Sequence, residues 1–181
     1  MSAPAASVAV PAAAAAIGGG DRRAVTSTSR PSNSRRPPVD AGGSKDATYT
    51  GEWKDGKYHG QGKILYSRHT MYDGAWEEGK RHGEGSCTYQ GDASYTGQWR
   101  ADKYQGSGCR TYSDGSMYEG EWDSGEAHGE GRCVYSDGTI YQGAWRHDQR
   151  HGQGRLVKAG RVVYEGLWLR DQRAIPKDLS G

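Results

Sequence analysis

Phenylalanine is absent from this chain, and hydrophobic residues of all kinds make up only 33% of it, with a mean hydropathy of −0.96. These shortages exclude a thick core of stacked Leu, Ile and Val. No apolar run reaches the roughly 18 residues that a membrane helix needs. Three cysteines, none in a C-x-x-C pair, argue against a disulfide framework or a zinc ribbon, and point to free thiols in a reducing compartment. Net positive charge is also scarce, with 24 Lys and Arg against 22 Asp and Glu. Residues 1–45 hold Arg22, Arg23, Arg30, Arg35, Arg36 and Lys45 against Asp21 and Asp40, a balance of +4; with +2 for the whole chain, residues 46–181 stand at −2. A balance of that kind gives no footprint for nucleic acid.

What the chain does have is 29 Gly, 12 Tyr and 6 Trp. That is too aromatic for plain disorder, so the apolar surface must come from rings laid over small residues. Residues 1–46 are the exception. They are rich in Ala, Pro, Ser and Arg, begin MSAPAASVAVPAAAAAIGGG with no basic stretch ahead of the alanines, and read as a disordered tail rather than a signal peptide.

The aromatic residues are strictly ordered. Trp53, Trp76, Trp99, Trp122, Trp145 and Trp168 follow one another at intervals of 23 residues. Four residues before each stands a tyrosine (Tyr49, Tyr72, Tyr95, Tyr118, Tyr141, Tyr164), and between them a glycine, making six Y-x-G-x-W pentads. A second motif, H-G-x-G, follows at His59, His82, His128 and His151, with Gln105 in place of His in the third unit. Internal repetition at one fixed period is the signature of a repeat architecture.

Residues at i, i+2 and i+4 share one face of a strand. The pentad and the G-x-G segment therefore each read as a strand, joined by a short polar loop such as Asp55–Gly60. D-G pairs such as Asp137-Gly138 supply the turns between units. The expectation is an all-β fold: a single-layer, twisted antiparallel meander of eleven strands over residues 47–173, with 174–181 as a C-terminal cap or tail. Two strands per unit give about 10 Å of rise per repeat and a sheet on the order of 50 Å, long enough that strong twist is expected.

The pattern Y-x-G-x-W-x-x-G-x-x-H-G-x-G, followed by a tyrosine and a D-G turn, resembles the MORN repeat (membrane occupation and recognition nexus). The resemblance covers about residues 47–173. It implies single-layer antiparallel sheets that act as scaffolds and docking platforms, in radial-spoke and other axonemal proteins, in cytoskeletal assemblies, and beside catalytic domains. Asp102 and Asp148 stand where the pattern has glycine, and the sixth unit stops after its first strand. These departures leave local loop shape open.

Against this frame the chemical candidates lose their force. His128 and Cys133 stand five apart on one expected strand, about 16 Å between Cα atoms, whereas a nucleophile and its base must approach to about 3 Å. The position of Cys133 is occupied elsewhere by Ile64, Cys87, Arg110 and Leu156, which marks a packing slot. The histidines recur every 10 Å or so, too far apart to share a metal, and are expected to bond the loop backbone. The H-G-x-G glycines lack the helix and Lys-Ser/Thr of a phosphate loop. No catalytic, metal or cofactor site is expected.

The surfaces are more informative. Tyr49, Trp53, Tyr72, Trp76, Tyr95, Trp99, Tyr118, Trp122, Tyr141, Trp145, Tyr164 and Trp168 are candidates for an aromatic docking face. Lys57, Lys80, Arg81, Lys103, Arg150 and Arg173, interrupted by Glu126, would line one long edge with positive charge, suited to acidic protein surfaces or anionic lipid; an ordinary solvated loop row has the same composition. The last strand carries Leu167 and Leu169 around Trp168, with Val157, Val162 and Val163 upstream. Such an apolar edge strand is an aggregation hazard unless covered, by the tail RAIPKDLSG, a partner or a second copy of the chain. These readings lead to a non-catalytic scaffold that docks other proteins of a larger complex, with a homodimer through the terminal strand as a further use of that edge. The resemblance places it in the cytoplasm on a cytoskeletal assembly, above all the axoneme of a cilium or flagellum. The alternative is a peripheral membrane or phosphoinositide adaptor.

Overall fold

The computed structural model describes residues 47–174. The tail expected over 1–46 and the cap residues 175–181 lie outside the described residues. Twelve strands follow in chain order: β1 (Thr48–Lys54), β2 (Lys57–Ser67), β3 (Thr70–Glu77), β4 (Lys80–Thr88), β5 (Ser94–Arg100), β6 (Lys103–Thr111), β7 (Met117–Asp123), β8 (Glu126–Val134), β9 (Ile140–Arg146), β10 (Gln149–Lys158), β11 (Arg161–Leu169) and β12 (Gln172–Arg173). They form one open sheet in that order, each strand antiparallel to the next. The count of eleven expected from the sequence falls one short. The sixth unit does not stop after its first strand: Arg170-Asp171 turns the chain back, and β12 pairs with Trp168 and Leu169.

One row crosses the sheet without a break. Gly51, Gly62, Gly74, Gly85, Gly97, Gly108, Gly120, Gly131, Gly143, Gly154 and Gly166 stand opposite one another, one from each of β1 to β11. For Gly62, Gly85, Gly108, Gly131 and Gly154 the reason lies in the tyrosines; the pentad glycines opposite them, from Gly51 to Gly143, are held mainly by close backbone approach. The ring of Tyr95 on β5 crosses to β6 and lies on Gly108, where an added Cβ would come within 2.6 Å of its Cζ. Tyr72, Tyr118 and Tyr141 lie in the same way on Gly85, Gly131 and Gly154. Each hydroxyl then donates to the backbone carbonyl three residues further along its own strand, as Tyr95 does to Gln98 O at 2.9 Å.

The first glycine of H-G-x-G answers a different demand. In β7/β8 the pairing jumps from Gly120↔Gly131 to Glu121↔His128, which leaves Gly129 and Glu130 as extra residues on β8. A bulge of this kind needs a residue in the left-handed region, and Gly129 has φ +56. The same bulge recurs once per hairpin, whereas β4/β5, β6/β7 and β8/β9 pair without interruption. One face of the sheet carries the core, a layer of Tyr72, Tyr95, Tyr118 and Tyr141 with Trp76, Trp99, Trp122, Trp145 and Trp168, all buried.

A seat glycine and a turn glycine, such as Gly115 of the Asp114-Gly115 turn between β6 and β7, predict different sensitivities. Gly108→Ala forces the Tyr95 ring off its seat and should destabilise the sheet by about 3 kcal/mol, at the upper end for overpacking. Gly115→Ala, at φ +81 with open space around it, should cost only about 1 kcal/mol of backbone strain. Urea denaturation of both variants checks the order; equal costs would contradict the ring-on-glycine contact.

Candidate interaction surfaces

The aromatic residues interlock rather than line a surface. Tyr72 meets Trp76 of its own strand edge-on at 5.0 Å and Trp99 of the next unit at 5.2 Å. Tyr118 does the same with Trp122 (4.9 Å) and Trp145 (5.1 Å), and Tyr141 with Trp145 (5.1 Å) and Trp168 (5.3 Å). Such pairs add about 0.5–1.5 kcal/mol each beyond area burial. The indole Nε1–H of Trp76, Trp99, Trp122, Trp145 and Trp168 donates to the carbonyl of Gly62, Gly85, Gly108, Gly131 and Gly154 at 2.9–3.1 Å. The aromatic face expected for docking is therefore consumed by the core, and these tryptophans with Tyr72, Tyr95, Tyr118 and Tyr141 offer no ring to a partner. Tyr49 and Tyr164, at the two ends, are half-buried, and Trp53 stands 60% exposed. Burial also raises the phenols: Tyr66 is pushed up to about 12, and Tyr72, Tyr95, Tyr118 and Tyr141 are raised by the same cause.

The basic edge needs a second correction. Arg81 and Arg150 are 2% and 7% exposed and do not belong to it. The Arg81 guanidinium lies 4.4 Å over the Trp99 ring, and its Nε and backbone N–H both donate to Asp102 Oδ1 at 3.0 Å. Arg150 repeats the arrangement over Trp168 at 4.3 Å, with Asp171 Oδ1 at 3.1 Å from Nε and 3.0 Å from the backbone nitrogen. A buried guanidinium must find a carboxylate and a ring, and both come from the following repeat. Lys57 is tied to Glu78 at 2.7 Å. Lys80, Lys103 and Arg173 remain exposed on that edge.

The aspartates that read as departures from the repeat pattern are thus parts of a clasp. Asp102, Asp148 and Asp171 have φ +69, +62 and +68, close to Gly56, Gly79 and Gly125 in the same slot at +73, +81 and +92, so the loop shape is kept. In every junction the slot's N–H donates to the carbonyl 21 residues earlier, at 2.9–3.0 Å. Where the slot is Asp, its carboxylate also takes the N–H of that earlier residue, which is Arg81, Ala127 or Arg150. Where it is glycine, the earlier residue is a tyrosine, Tyr58 or Tyr104, stacked on Tyr49 at 3.9 Å or Tyr95 at 3.7 Å. Arg and Asp separated by 21 residues was the signal available in the sequence.

The chemical candidates are kept apart. His128 pairs with Glu121 on the outer face, and Cys133 is buried between Tyr118 and Tyr141 on the core face. Burial pushes the Cys133 thiol up to about 12, and all three cysteines are free thiols. Nδ1 of His59 and His128 is enclosed without a hydrogen-bond partner rather than bonded to the loop backbone as expected, and His82 Nδ1 lies 3.0 Å from Glu77.

The MORN-repeat profile matches residues 49–71, 72–92, 95–117, 118–140 and 141–160. The chain belongs to the MORN-repeat family. A search of curated proteins returns no match. MORN repeats are non-catalytic modules that mediate protein or membrane interactions.

The five matched MORN repeats are followed by the incomplete sixth, which holds two of the exposed apolar residues. Leu167 is 54% and Leu169 57% exposed, on either side of Trp168 at 3%. The chain begins to return over this strand: Ala174 N–H donates to Leu167 O at 2.8 Å, and Tyr164 Oη–H to Ala174 O at 3.3 Å. The remainder of the tail that would complete the cover lies outside the described residues.

Two outcomes follow from the core and its clasps. Above pH 10 an unfolded tyrosine loses its proton while a buried one keeps it, so the native state binds more protons and stability falls as pH rises. The sheet should therefore hold at pH 9 and unfold in one step above about pH 10, with tyrosinate absorbance at 295 nm appearing together with loss of strand ellipticity. For the clasp, Asp102→Gly strands the Arg81 charge and should cost about 3–5 kcal/mol. Adding Arg81→Tyr recreates the tyrosine–glycine junction and should recover most of that loss in chemical denaturation.

Proposed function

We propose that this MORN array is a non-catalytic docking scaffold whose partner-binding edge is the incomplete sixth repeat. The observation that carries this reading is the pair Leu167 and Leu169, half-exposed on an edge strand that β12 covers for only two residues. An apolar strand edge of this kind suits strand addition by a protein partner, or by a second copy of the chain. A cytoskeletal assembly, above all a ciliary or flagellar axoneme with its radial spokes or microtubule-associated complexes, is the setting the resemblance suggests. The lipid-adaptor reading has less support, because Arg81 and Arg150 are withdrawn into the core and Lys57 is paired, which thins the basic edge it would need.

The test compares retention of cytoskeletal proteins with liposome co-sedimentation. Leu167→Asp combined with Leu169→Asp should abolish protein retention while circular dichroism stays strand-like. Lipid binding at physiological salt with no retained protein would overturn the scaffold in favour of the membrane adaptor.

A further inference from the structure

The opposite end of the sheet presents half of a junction that the molecule completes five times elsewhere. In β3, β5, β7, β9 and β11 the tryptophan gives its Nε1–H to a glycine carbonyl of the preceding strand, and the hairpin loop gives an N–H to a carbonyl on that same strand. β1 carries the same residues, Tyr49-x-Gly51-x-Trp53 followed by Gly56, but it is the first strand of the sheet. Trp53 is 60% exposed where its five equivalents are 2–6% exposed.

The chemistry of the missing strand can be read from the junctions that are filled. A loop with Asp in the slot meets Arg81, Ala127 or Arg150; a loop with glycine meets Tyr58 or Tyr104, whose rings lie edge-on to Trp76 and Trp122 at 5.1 Å. Gly56 belongs to the second kind. It offers no carboxylate to a buried guanidinium, so an arginine brought against Trp53 would be left without its counter-ion. A tyrosine suffers no such cost.

We propose that the outer edge of β1 receives an extended strand of the pattern Y-x-G-x-G from another polypeptide, as β2 (Tyr58–Gly62) and β6 (Tyr104–Gly108) serve β3 and β7. Its tyrosine carbonyl accepts the Gly56 N–H, its last glycine carbonyl accepts Trp53 Nε1–H, and its tyrosine ring covers the exposed indole. The pattern rules out two internal sources. Residues 1–46 contain no tyrosine. The other end of a second copy presents Arg173 in the tyrosine's place, which demands an aspartate that β1 lacks. This is a second docking edge, independent of the one at Leu167 and Leu169.

The probe is a synthetic peptide with the β2 sequence, KYHGQGKILYS, added to the full chain labelled with nitrogen-15. Trp53→Phe identifies the Trp53 indole signal. The peptide should shift that signal and leave the other indoles in place. Its Tyr→Ala version and the arginine-bearing β10 peptide, QRHGQGRLVK, should bind at least about fivefold more weakly, the equivalent of about 1 kcal/mol. Gly56→Asp should reverse the order, favouring the arginine peptide. Aspartate can stand there, because Gly56 has φ +73 with open space around it, and Asp102, Asp148 and Asp171 hold the same conformation. The absence of any Trp53 shift, equal binding of the two peptides to the unmodified chain, or a dimer of the chain alone that disappears in Trp53→Ala would each overturn the proposal.

Discussion

A tyrosine ring resting on a glycine of the neighbouring strand is the contact on which this sheet depends. A single layer of strands has no second sheet or helix to cover it, so its apolar side must be sealed by its own side chains. The ring needs a flat seat, which glycine supplies at Gly62, Gly85, Gly108, Gly131 and Gly154; the pentad glycines between them are fixed chiefly by the backbone opposite, as the Gly108 Cα and Ser107 carbonyl leave no room for a Cβ at Gly97. Once the tyrosine is seated, the tryptophan of its own strand and that of the next unit can stand edge-on against it, and the next indole can reach the carbonyl of the seat glycine, as Trp99 reaches Gly85 O. The core is thereby built from rings placed at right angles. That arrangement explains how a chain without phenylalanine, and with few aliphatic residues, buries large side chains completely.

A second layer of chemistry joins one repeat to the next. Each junction uses the same backbone bond across 21 residues, but the side chains above it fall into sets, tyrosine with glycine and arginine or alanine with aspartate. The sets follow from charge. A guanidinium as buried as Arg81 requires both Asp102 and the face of Trp99, whereas the stacked Tyr104 requires only Tyr95 beneath it and the Tyr89 hydroxyl at 2.7 Å. Setting an arginine against a glycine loop would leave a charge without a partner in the interior. Neighbouring repeats are therefore matched to one another, and a MORN array is less interchangeable in its order than its regular period suggests.

Most of the architecture was legible in the sequence. The 23-residue spacing of tryptophans, the period-two pentad and the D-G turns led to antiparallel hairpins in chain order, because those signals are local and the pentad repeats six times. Burial was less legible. Alternation tells which side chains share a face, but not whether that face is closed; Tyr72 and Trp99 read equally well as a docking surface or as a core until the seat glycine and the next indole are placed around them. Arg81 and Arg150 misled for a related reason. A loop arginine is normally solvated, and only its pairing with a residue 21 positions later draws it inward. Asp102 and Asp148 looked like lost glycines because conformation and charge are separate demands, and aspartate at positive φ satisfies both. The twelfth strand, two residues long, is below what any hydrophobic period can register.

The ends of the sheet follow from the same logic. In a linear array the junction groups that one repeat presents to the next, its indole N–H, loop N–H and facing carbonyls, are answered by that neighbour, so the junction groups left unanswered gather at the first and last units. The two ends are not alike. β1 exposes an indole and a glycine loop; β11 and β12 expose two leucines and an arginine whose internal arginine counterparts, Arg81 and Arg150, are ion-paired. If the two ends were complementary, copies would add head to tail, a heterologous contact that grows into a filament unless its rotation closes a ring. The mismatch between Arg173 at one end and Gly56 at the other works against such growth. Under the docking proposed for both edges, it leaves each end of the MORN sheet to a different occupant, and the terminal residues, rather than the repeated ones, would distinguish one partner from another.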